Sequence, residues 1–568
     1  MANVDEYDEA CSSVSEYDDL DIKQAVQFGD LSKVKHLIES GLVTASETDA
    51  DDCSLLHWAA INNRLQVAQY LIDKKCNINH IGGVLACTPL HWATRQGHTR
   101  MVALLIKNGA DYTIRDGEGF TVLHTACQYS RTPIACYLIA KGMSPDTQDG
   151  FQMTPLMYAA ARSVARDPIN MLVTMGANLN ATDGLFGHSS LHFAVIHGNH
   201  VGINTLLKLK VDLSIVNKEN ETALDIAHRK NDYLSIRLLE MAERQAGLRR
   251  YTWKQKFNED PAVKAKVAHI LPFIFYFLPG FLLASHLDII LKLLTVTAVY
   301  SSCLVLLRNY IGNHIQTTAT FTCSFVIASK LFYFVIWLVH LHQTAGWYLQ
   351  IFFFTILIVL PYMYFILYNR DPGTINFSHN EKCKQIIAMT EGEDFDGTFC
   401  STCLIIRPMR SKHCRHCDKC IKRFDHHCLW IGQCVGQNNH RLFLGYLFSL
   451  HISAFVVILG CLSYYSNVCG DISWHSIMYC QPWVTYTGIM AVILLTWLSC
   501  LLVMQFYGIS QAMTVNEQIN VHRYKHFQSE DSKTFHNPFS RGGCFWNTYN
   551  FLFEEDVSET KTKKSFVV

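Results

Sequence analysis

The chain reads as an all-α protein in three parts. These are an N-terminal solenoid of helical repeats, a polytopic α-helical membrane domain of six spans, and a cytosolic cysteine-rich domain inserted between the fourth and fifth spans. Three observations predict it. A Leu-x-x-Ala block recurs every 33 to 35 residues through the first half, six apolar segments of spanning length follow, and seven of the 21 cysteines fall between Cys400 and Cys434.

At 568 residues there is room for three or four domains. Lys plus Arg and Asp plus Glu balance at 48 each, which argues against a nucleic-acid partner and against acid-rich disorder. The average hides a polar first half followed by a strongly apolar middle. The first 20 residues hold seven Asp or Glu and no Lys or Arg, the reverse of a secretory or mitochondrial presequence. Residues 1–16 are therefore expected to be a disordered acidic N-terminus in the cytosol, and most cysteines to be thiols or metal ligands rather than disulfides.

Aligning SLLHWA (Ser54), TPLHWA (Thr88), TVLHTA (Thr121), TPLMYA (Thr154), SSLHFA (Ser189) and TALDIA (Thr222) gives steps of 34, 33, 33, 35 and 33. A degenerate earlier unit ends in Ala25, one period before Ala59. Each block runs into a second apolar helix such as VALLIKNGAD (Val102 to Asp111), closed by a Gly-Ala-Asp-like turn. The pattern resembles the ankyrin repeat, with about seven units over 17–245. One repeat cannot bury its apolar face, so stacking into a solenoid follows, with protein binding as its default role. The TPLH histidines are expected to hydrogen-bond between repeats and ligate nothing. Cys53, Cys76, Cys87, Cys127 and Cys136 read as small core residues.

Residues 246–267 form a basic linker, suited to orienting a membrane segment. Spans are expected at 268–285, 287–307, 319–341, 347–368, 442–466 and 483–507, that is, four within 268–368 and two within 442–507. Pro272, Pro279, Asp288 and Lys292 interrupt the first pair, which leaves a buried hairpin or a kinked pair as the alternative. Loop 369–441 carries eleven Lys or Arg and loop 467–482 none, so the cysteine cluster faces the cytosol with both termini. Cys469 and Cys480 would share a lumenal loop, where a disulfide is chemically permitted. The tail, 508–568, ends in Phe566-Val567-Val568, a weak candidate PDZ ligand.

The cluster spells Cys-x2-Cys-x9-His-Cys-x2-Cys-x2-Cys-x4-Asp-His-His-Cys-x5-Cys. Two tetrahedral zinc sites need eight ligands. Neighbours in an extended chain point opposite ways, so His413 and Cys414 serve different ions. Interleaving then assigns Cys400, Cys403, His413 and Cys420 to one structural Zn2+, and Cys414, Cys417, His427 and Cys434 to the other. A RING-type double-zinc module would need further paired ligands in place of the adjacent His-Cys. His416 reads as exposed filler. Asp425, His426 and Cys428 remain. A cysteine needs a base or a stabilised thiolate to act as a nucleophile, and His426, oriented by Asp425, lies two residues from Cys428. The competing reading makes Cys428 a ninth, redundant ligand.

The loop resembles the DHHC domain of protein S-acyltransferases at every expected Cys and His. Asp371-Pro372-Gly373 after the fourth span resembles the family's DPG motif. Thr514-Val515-Asn516-Glu517 resembles its TTxE motif, with Val515 in place of the second Thr, and Asn547 resembles its C-terminal motif. Leu429 stands where the family usually has Pro. With ankyrin repeats and six spans, the chain is similar to the huntingtin-interacting palmitoyltransferase subclass.

The resemblance implies transfer of a long-chain acyl group, typically from palmitoyl-CoA, through acyl-Cys428 to protein cysteines. Arg407, Arg410, Lys412 and Arg415 either attract CoA phosphates or simply set orientation. The subclass also implies peptide binding on the repeats through Asn62 and Trp92, and a multi-pass protein of Golgi and cytoplasmic vesicle membranes. Two rivals come from other classes. An ion channel would need a pore loop longer than 467–482 and no zinc cluster, and a membrane scaffold or trafficking adaptor would work without Cys428.

Overall fold

The computed structural model describes residues 21–162, 167–308, 315–392, 398–524, 527 and 537–553. The acidic segment 1–16 and the terminal Phe566-Val567-Val568 lie outside the described residues. The chain divides into two compact units, one holding the repeats with residues 377–406, the other holding 250–376 and the chain from 407 onward.

In the first unit fourteen helices, α1 (Ile22–Phe28) to α14 (Tyr233–Gln245), form seven pairs. The recurring block is a helix start. Ser54, Thr88, Thr121, Ser189 and Thr222 are extended N-caps that open their helices with capping boxes. In four of these the residue that closes the box is a histidine. His57 Nδ1 meets the Ser54 amide at 3.1 Å, and its Nε2 lies 2.9 Å from the Cys87 carbonyl of the next repeat. His91, His124 and His192 reach the Phe120, Met153 and Glu221 carbonyls in the same way. These histidines bond between repeats, and none belongs to a group able to hold a metal among the described residues. Where Met157 takes the histidine's place, the Thr154 hydroxyl is buried without a partner. The alanine of each block, Ala59 through Ala227, is fully buried, and that absence of bulk lets successive helices pack closely. Cys53, Cys87, Cys127 and Cys136 are buried as expected and Cys76 is half-buried.

Residues 369–441, expected as one domain, divide between the units. Helix α20 (His379–Thr390) packs on the repeats, with Ile386 and Leu404 buried in their core. Just past its end, Glu391 accepts from Tyr137 Oη at 2.9 Å and pairs with Lys141 at 2.6 Å.

Among its described residues the second unit contains five helices long and apolar enough to cross a membrane. They are α16 (Pro261–Ala284), the run Thr320–Leu341 that includes most of α18 (Ile315–Ile336), α19 (Trp347–Asn369), α21 (His440–Val468) and α23 (Pro482–Ser510). The expected second span is α17 (Ile289–Leu306). It is helical, with Asp288 at its N-cap position and Lys292 in its first turn, and its apolar run among the described residues is Ile290–Leu306. The basic linker expected at 246–267 is itself largely helical. Helix α15 (Trp253–Glu259) lies inside it and α16 begins at Pro261, a favourable first helical residue. Helix α16 continues through Pro272 and Pro279, which membrane helices tolerate. It packs on α23 at Gly280, where a Cβ would come within 2.2 Å of the Trp483 ring. Cys469 and Cys480 flank the short helix α22 (Trp474–Tyr479), between α21 and α23, and form a disulfide.

Burial pushes His57 down to about 4, and His91, His124 and His192 shift in the same direction for the same reason. The unfolded chain, with histidines near 6.5, binds protons in this window that the folded repeats refuse, so stability falls as pH drops from about 6.5 towards 4. Thermal unfolding of the purified protein, followed between pH 7.5 and pH 4.5, should show the repeat transition moving to lower temperature below about pH 6.5. A midpoint that does not move would contradict the neutral, buried state of these rings.

Candidate functional site

Three two-stranded hairpins make up the cysteine-rich segment. Strand β1 (Thr398–Cys400) pairs with β2 (Ile405–Arg407), β3 (Lys412–Cys414) with β4 (Lys419–Ile421), and β5 (His426–Cys428) with β6 (Gln433–Val435). Hairpins this short are marginal alone, so something else must hold them. Register supplies the clue. His413 stands opposite Cys420, and His427 stands opposite Cys434. The structure brings together Cys400, Cys403, His413 and Cys420 in one group and Cys414, Cys417, His427 and Cys434 in another, with ligand atoms in each group all within 4.8 Å. In the second, His427 Nδ1 lies 3.7, 3.4 and 3.6 Å from the sulfurs of Cys414, Cys417 and Cys434, and Cys417 and Cys434 are 3.5 Å apart. Such separations suit the edges of a tetrahedron around one ion, roughly 3.5–3.8 Å for sulfur and nitrogen ligands. His416 belongs to neither group. It is exposed, with its ring 4.8 Å from that of His427.

The flanking motifs act as clamps. Asp371 accepts from the Gly373 and Thr374 amides at 3.1 and 3.0 Å, and the Gly373 carbonyl receives the Lys422 amide at 2.9 Å. Gly373 has φ +104°, a backbone conformation that glycine tolerates and other residues resist. Ile375 then donates to Cys420 O, so the turn pins β4. Asn439, fully buried, accepts from Gly436 N and donates to Cys434 O, both at 2.9 Å.

Because side chains alternate along β5, His427 faces the metal-type group while His426 and Cys428 share the other side. His426 Nδ1 bonds Asp425 Oδ2 at 2.8 Å, and the ring shares its face of β5 with Cys428. Asp425 is 1% exposed and fully engaged. Its Oδ2 also accepts from Gln505 Nε2 at 3.1 Å, and its Oδ1 accepts the Val515 amide at 2.7 Å. Gln505 in turn bonds His440 Nε2 at 2.8 Å. Burial would raise the Asp425 carboxyl, but the His426 hydrogen bond, His440 and the Val515 amide together hold it well below the usual carboxylate range. Burial likewise opposes charge on His426, yet Asp425 and Cys428 outweigh it and raise the imidazole to about 10.

Cys428 lies on the wall of an apolar cavity of about 1310 Å³ between the membrane-unit helices. Leu429 and Trp430 line it too, and the Leu429 carbonyl accepts from Thr322 Oγ1 of α18 at 2.5 Å. Leu429, the departure from Pro, therefore has its main chain tied to a helix.

The flanking motifs find partners far along the chain. Glu517, almost fully buried, takes a two-pronged bond from Arg410, with Nε and an Nη each at 2.7 Å. Lys412 donates to Asn516. Two of the four basic residues considered for CoA are thus held by the TTxE-like segment. Val515 opens helix α24 (Val515–Ile519) and offers Asp425 only its backbone, which explains why a Thr is dispensable there. Asn547 is buried and bridges the Arg541 amide and the Ser510 carbonyl, both at 2.8 Å, tying helix α25 (Cys544–Phe553) to the end of α23.

On the repeats, Asn62 ends α3 (Leu55–Ile61), is exposed, and donates to Trp58 O at 2.8 Å. Trp92 of the next repeat is half-buried, edge-on to Trp58 at 5.7 Å. Asn62 and Trp92 thus both contact Trp58.

The Val515 bond is separable from the fold, since Val515 is a first helical residue and Thr514 before it is extended, a position that accepts proline. Val515→Pro removes the donor to Asp425. Activity of the site should fall about tenfold or more, as expected for losing a hydrogen bond to a charged group, while Val515→Thr should behave as wild type. Initial rates on the purified variants, with melting temperature as the folding control, decide it.

A family model described as DHHC palmitoyltransferase matches residues 393–522, and one of ankyrin repeats matches 22–116 and 113–183. Among curated relatives, human palmitoyltransferase ZDHHC17 is 35% identical over 551 residues, covering 95% of this chain and 86% of that protein. The Danio rerio ZDHHC17 is 35% identical over 552 residues, covering 95% and 88%. Human palmitoyltransferase ZDHHC13 is 32% identical over 555 residues, covering 94% and 87%. Similarity extends over both units and not merely over the hairpins, and on that ground the chain belongs to the DHHC palmitoyltransferases and is a protein S-palmitoyltransferase.

Proposed function

We propose that this membrane protein moves a long-chain acyl group from acyl-CoA, typically palmitoyl-CoA, through an acyl-Cys428 intermediate to cysteines of proteins recruited by its ankyrin repeats. The observation that carries the reading is the placement of Cys428, on the same face of β5 as His426 and with it on the wall of the apolar cavity.

Asp425 holds His426 Nδ1, so Nε2 is the nitrogen left to face the thiol. The Cys428 proton passes to Nε2, and Sγ attacks the thioester carbonyl carbon. The new S–C bond forms as the bond to CoA sulfur breaks, and CoA leaves as the thiol, taking the proton from His426 Nε2 and leaving that nitrogen free. In the second half the substrate cysteine gives its proton to the same nitrogen, attacks the acyl carbon and releases Cys428 as the leaving thiol. The cavity takes the acyl chain, whereas CoA stays in water. Leu429 would touch that chain. Arg415, exposed beside the second metal-type group, is the candidate to meet the CoA phosphates, because Arg410 and Lys412 are occupied.

The donor sets suit zinc, with three thiolates and one imidazole in each group. Two Zn2+ would be structural, since four protein ligands leave no position for water or substrate, and they would supply the rigidity that short hairpins lack. Asp425, His426 and Cys428 would then be catalytic, and Cys400, Cys403, His413, Cys420, Cys414, Cys417, His427 and Cys434 the ligands. Asn62 and Trp92 would bind an extended substrate peptide across adjacent repeats. The domain limits follow those expected above except that 377–406 groups with the repeats, with six spans if α17 crosses, both termini and the hairpins cytosolic, and Golgi and vesicle membranes as the location. The Cys469–Cys480 disulfide supports a lumenal loop between α21 and α23.

Cys428→Ser should keep two zinc ions per chain while losing autoacylation and transfer, whereas Cys403→Ser or His427→Ala should lower zinc content and melting temperature. Metal analysis beside palmitoyl-CoA labelling separates these outcomes. Zinc loss in Cys428→Ser would make that residue a ligand instead, and full cellular function of the same variant would favour a scaffold. On the repeats, Trp92→Ala should weaken peptide binding about tenfold with the array still folded, since aromatic anchors dominate such contacts. Unchanged affinity by titration calorimetry would remove Trp92 from the binding site.

A further inference from the structure

The cavity beside Cys428 is longer than one palmitoyl chain needs. Along α23 it is lined from Gln505, which bonds Asp425, to Pro482 at the other end of the helix. At 1.5 Å per residue those 23 intervals span about 35 Å. The hydrocarbon core of a bilayer is roughly 30 Å thick and holds two acyl layers end to end, so one ordinary chain reaches only about half that depth. The volume, about 1310 Å³, also exceeds the usual range of roughly 300–1,000 Å³ for a small-molecule pocket.

The two halves have different walls. On α21 the lining residues Phe443, Tyr446, Leu447 and Leu450 fall on one helical face and go no further. At the next turn Ser453 takes the Lys330 ammonium at 3.0 Å, which turns the charge of this lining lysine towards the protein. Beyond that level α16 and α17 contribute the wall. Lys292, Leu293, Val296 and Tyr300 lie on one face of α17, and the Tyr300 and Tyr486 hydroxyls meet at 2.9 Å across the gap to α23. Asp288, Lys292 and Tyr479 give this far end a polar rim.

We infer that the α16–α17 pair forms a distal chamber continuous with the Cys428 site, and that the enzyme accepts very-long-chain acyl groups of C20–C24 whose terminal half lies in that chamber. This rests on the acyl-Cys428 reading. The continuity of the cavity with Cys428 points to the enzyme's own acyl chain as occupant, and a resident bilayer lipid would instead exclude the longer chains.

The test uses the purified full-length protein in nanodiscs, loaded with C16, C20 and C24 acyl-CoA and read as acyl-Cys428 by intact mass, with Cys428→Ser as the blank. Wild type should load C24 at a rate within about threefold of C16, as a preformed apolar site predicts. Val296→Trp fills the chamber and should lower C24 loading about tenfold or more with C16 little changed, because a well-packed cavity resists added bulk. Ile290→Trp, on an exposed α17 residue outside the cavity lining, should leave both chains alone. Should Val296→Trp lose both chains, Ile489→Trp on the α23 wall takes its place with the same expectation. Good C16 loading with no C20 or C24 product overturns the inference and leaves the acyl-Cys428 reading standing. C24 loading that survives both chamber-filling variants overturns it equally. No loading of any chain, C16 included, overturns the reading beneath it.

Discussion

The structure of this site depends on the two-residue alternation of a three-residue strand. In β5, His427 points one way into a group of three sulfurs, and its neighbours His426 and Cys428 point the other way towards the apolar cavity. One residue of slippage would exchange the faces, putting His426 and Cys428 among the sulfurs and His427 beside the cavity. A lone hairpin this short has too few hydrogen bonds to resist such slippage. The pairing of His427 with Cys434, and the Asn439 bond to the Cys434 carbonyl, are what fix the register. Metal-type chemistry on one face thereby sets the geometry of covalent chemistry on the other.

Asp425 extends the same constraint into the membrane unit. A carboxylate that is 1% exposed is costly unless its oxygens are bonded, and each oxygen of Asp425 has a partner from a different helix. Gln505 comes from a membrane-crossing helix and the Val515 amide from the segment just after it. Gln505 also lines the cavity, so the residue that steadies Asp425 stands beside the space where an acyl chain would lie. The Arg410–Glu517 pair repeats the arrangement one layer out, joining the hairpin region to the same segment. Removing either partner would leave a buried charge alone, a loss of about 3–5 kcal/mol, so this contact reads as register control more than as added stability.

What the sequence disclosed and what it concealed divide along chain separation. The eight Cys and His positions lie within 35 residues, and alternation at His413–Cys414 together with an interleaved assignment sorted them into the two groups that the structure brings together. The repeat blocks were equally legible, because their Leu and Ala are buried and their Ser or Thr opens a helix at every period. Gln505 and Val515 are 80 and 90 residues from Asp425, and Glu517 is 107 from Arg410. No local period or spacing marks such pairs. The TTxE-like resemblance flagged Glu517 but could not name its partner, and it marked Val515 as a departure at a position where the bond to Asp425 uses only the backbone. Basic residues misled for a related reason. Arg410 and Lys412 looked available to phosphate, and folding had already paired them within the unit.

Helix α17 shows where hydropathy alone runs out. Asp288 and Lys292 interrupt its apolar sequence, which on composition weakens it as a span. In the fold those same two residues line the far end of the cavity, and the face that follows them, through Val296 to Tyr300, lies along it. Polar residues in membrane helices are rare because of their cost, and they persist where they face protein or a cavity. The charges that make α17 a poor lipid-facing span are therefore the ones expected of a helix that walls a chamber. The Tyr300–Tyr486 bond then satisfies two hydroxyls that would otherwise be stranded in an apolar gap, and it fixes the distance between α17 and α23 that sets the chamber's width.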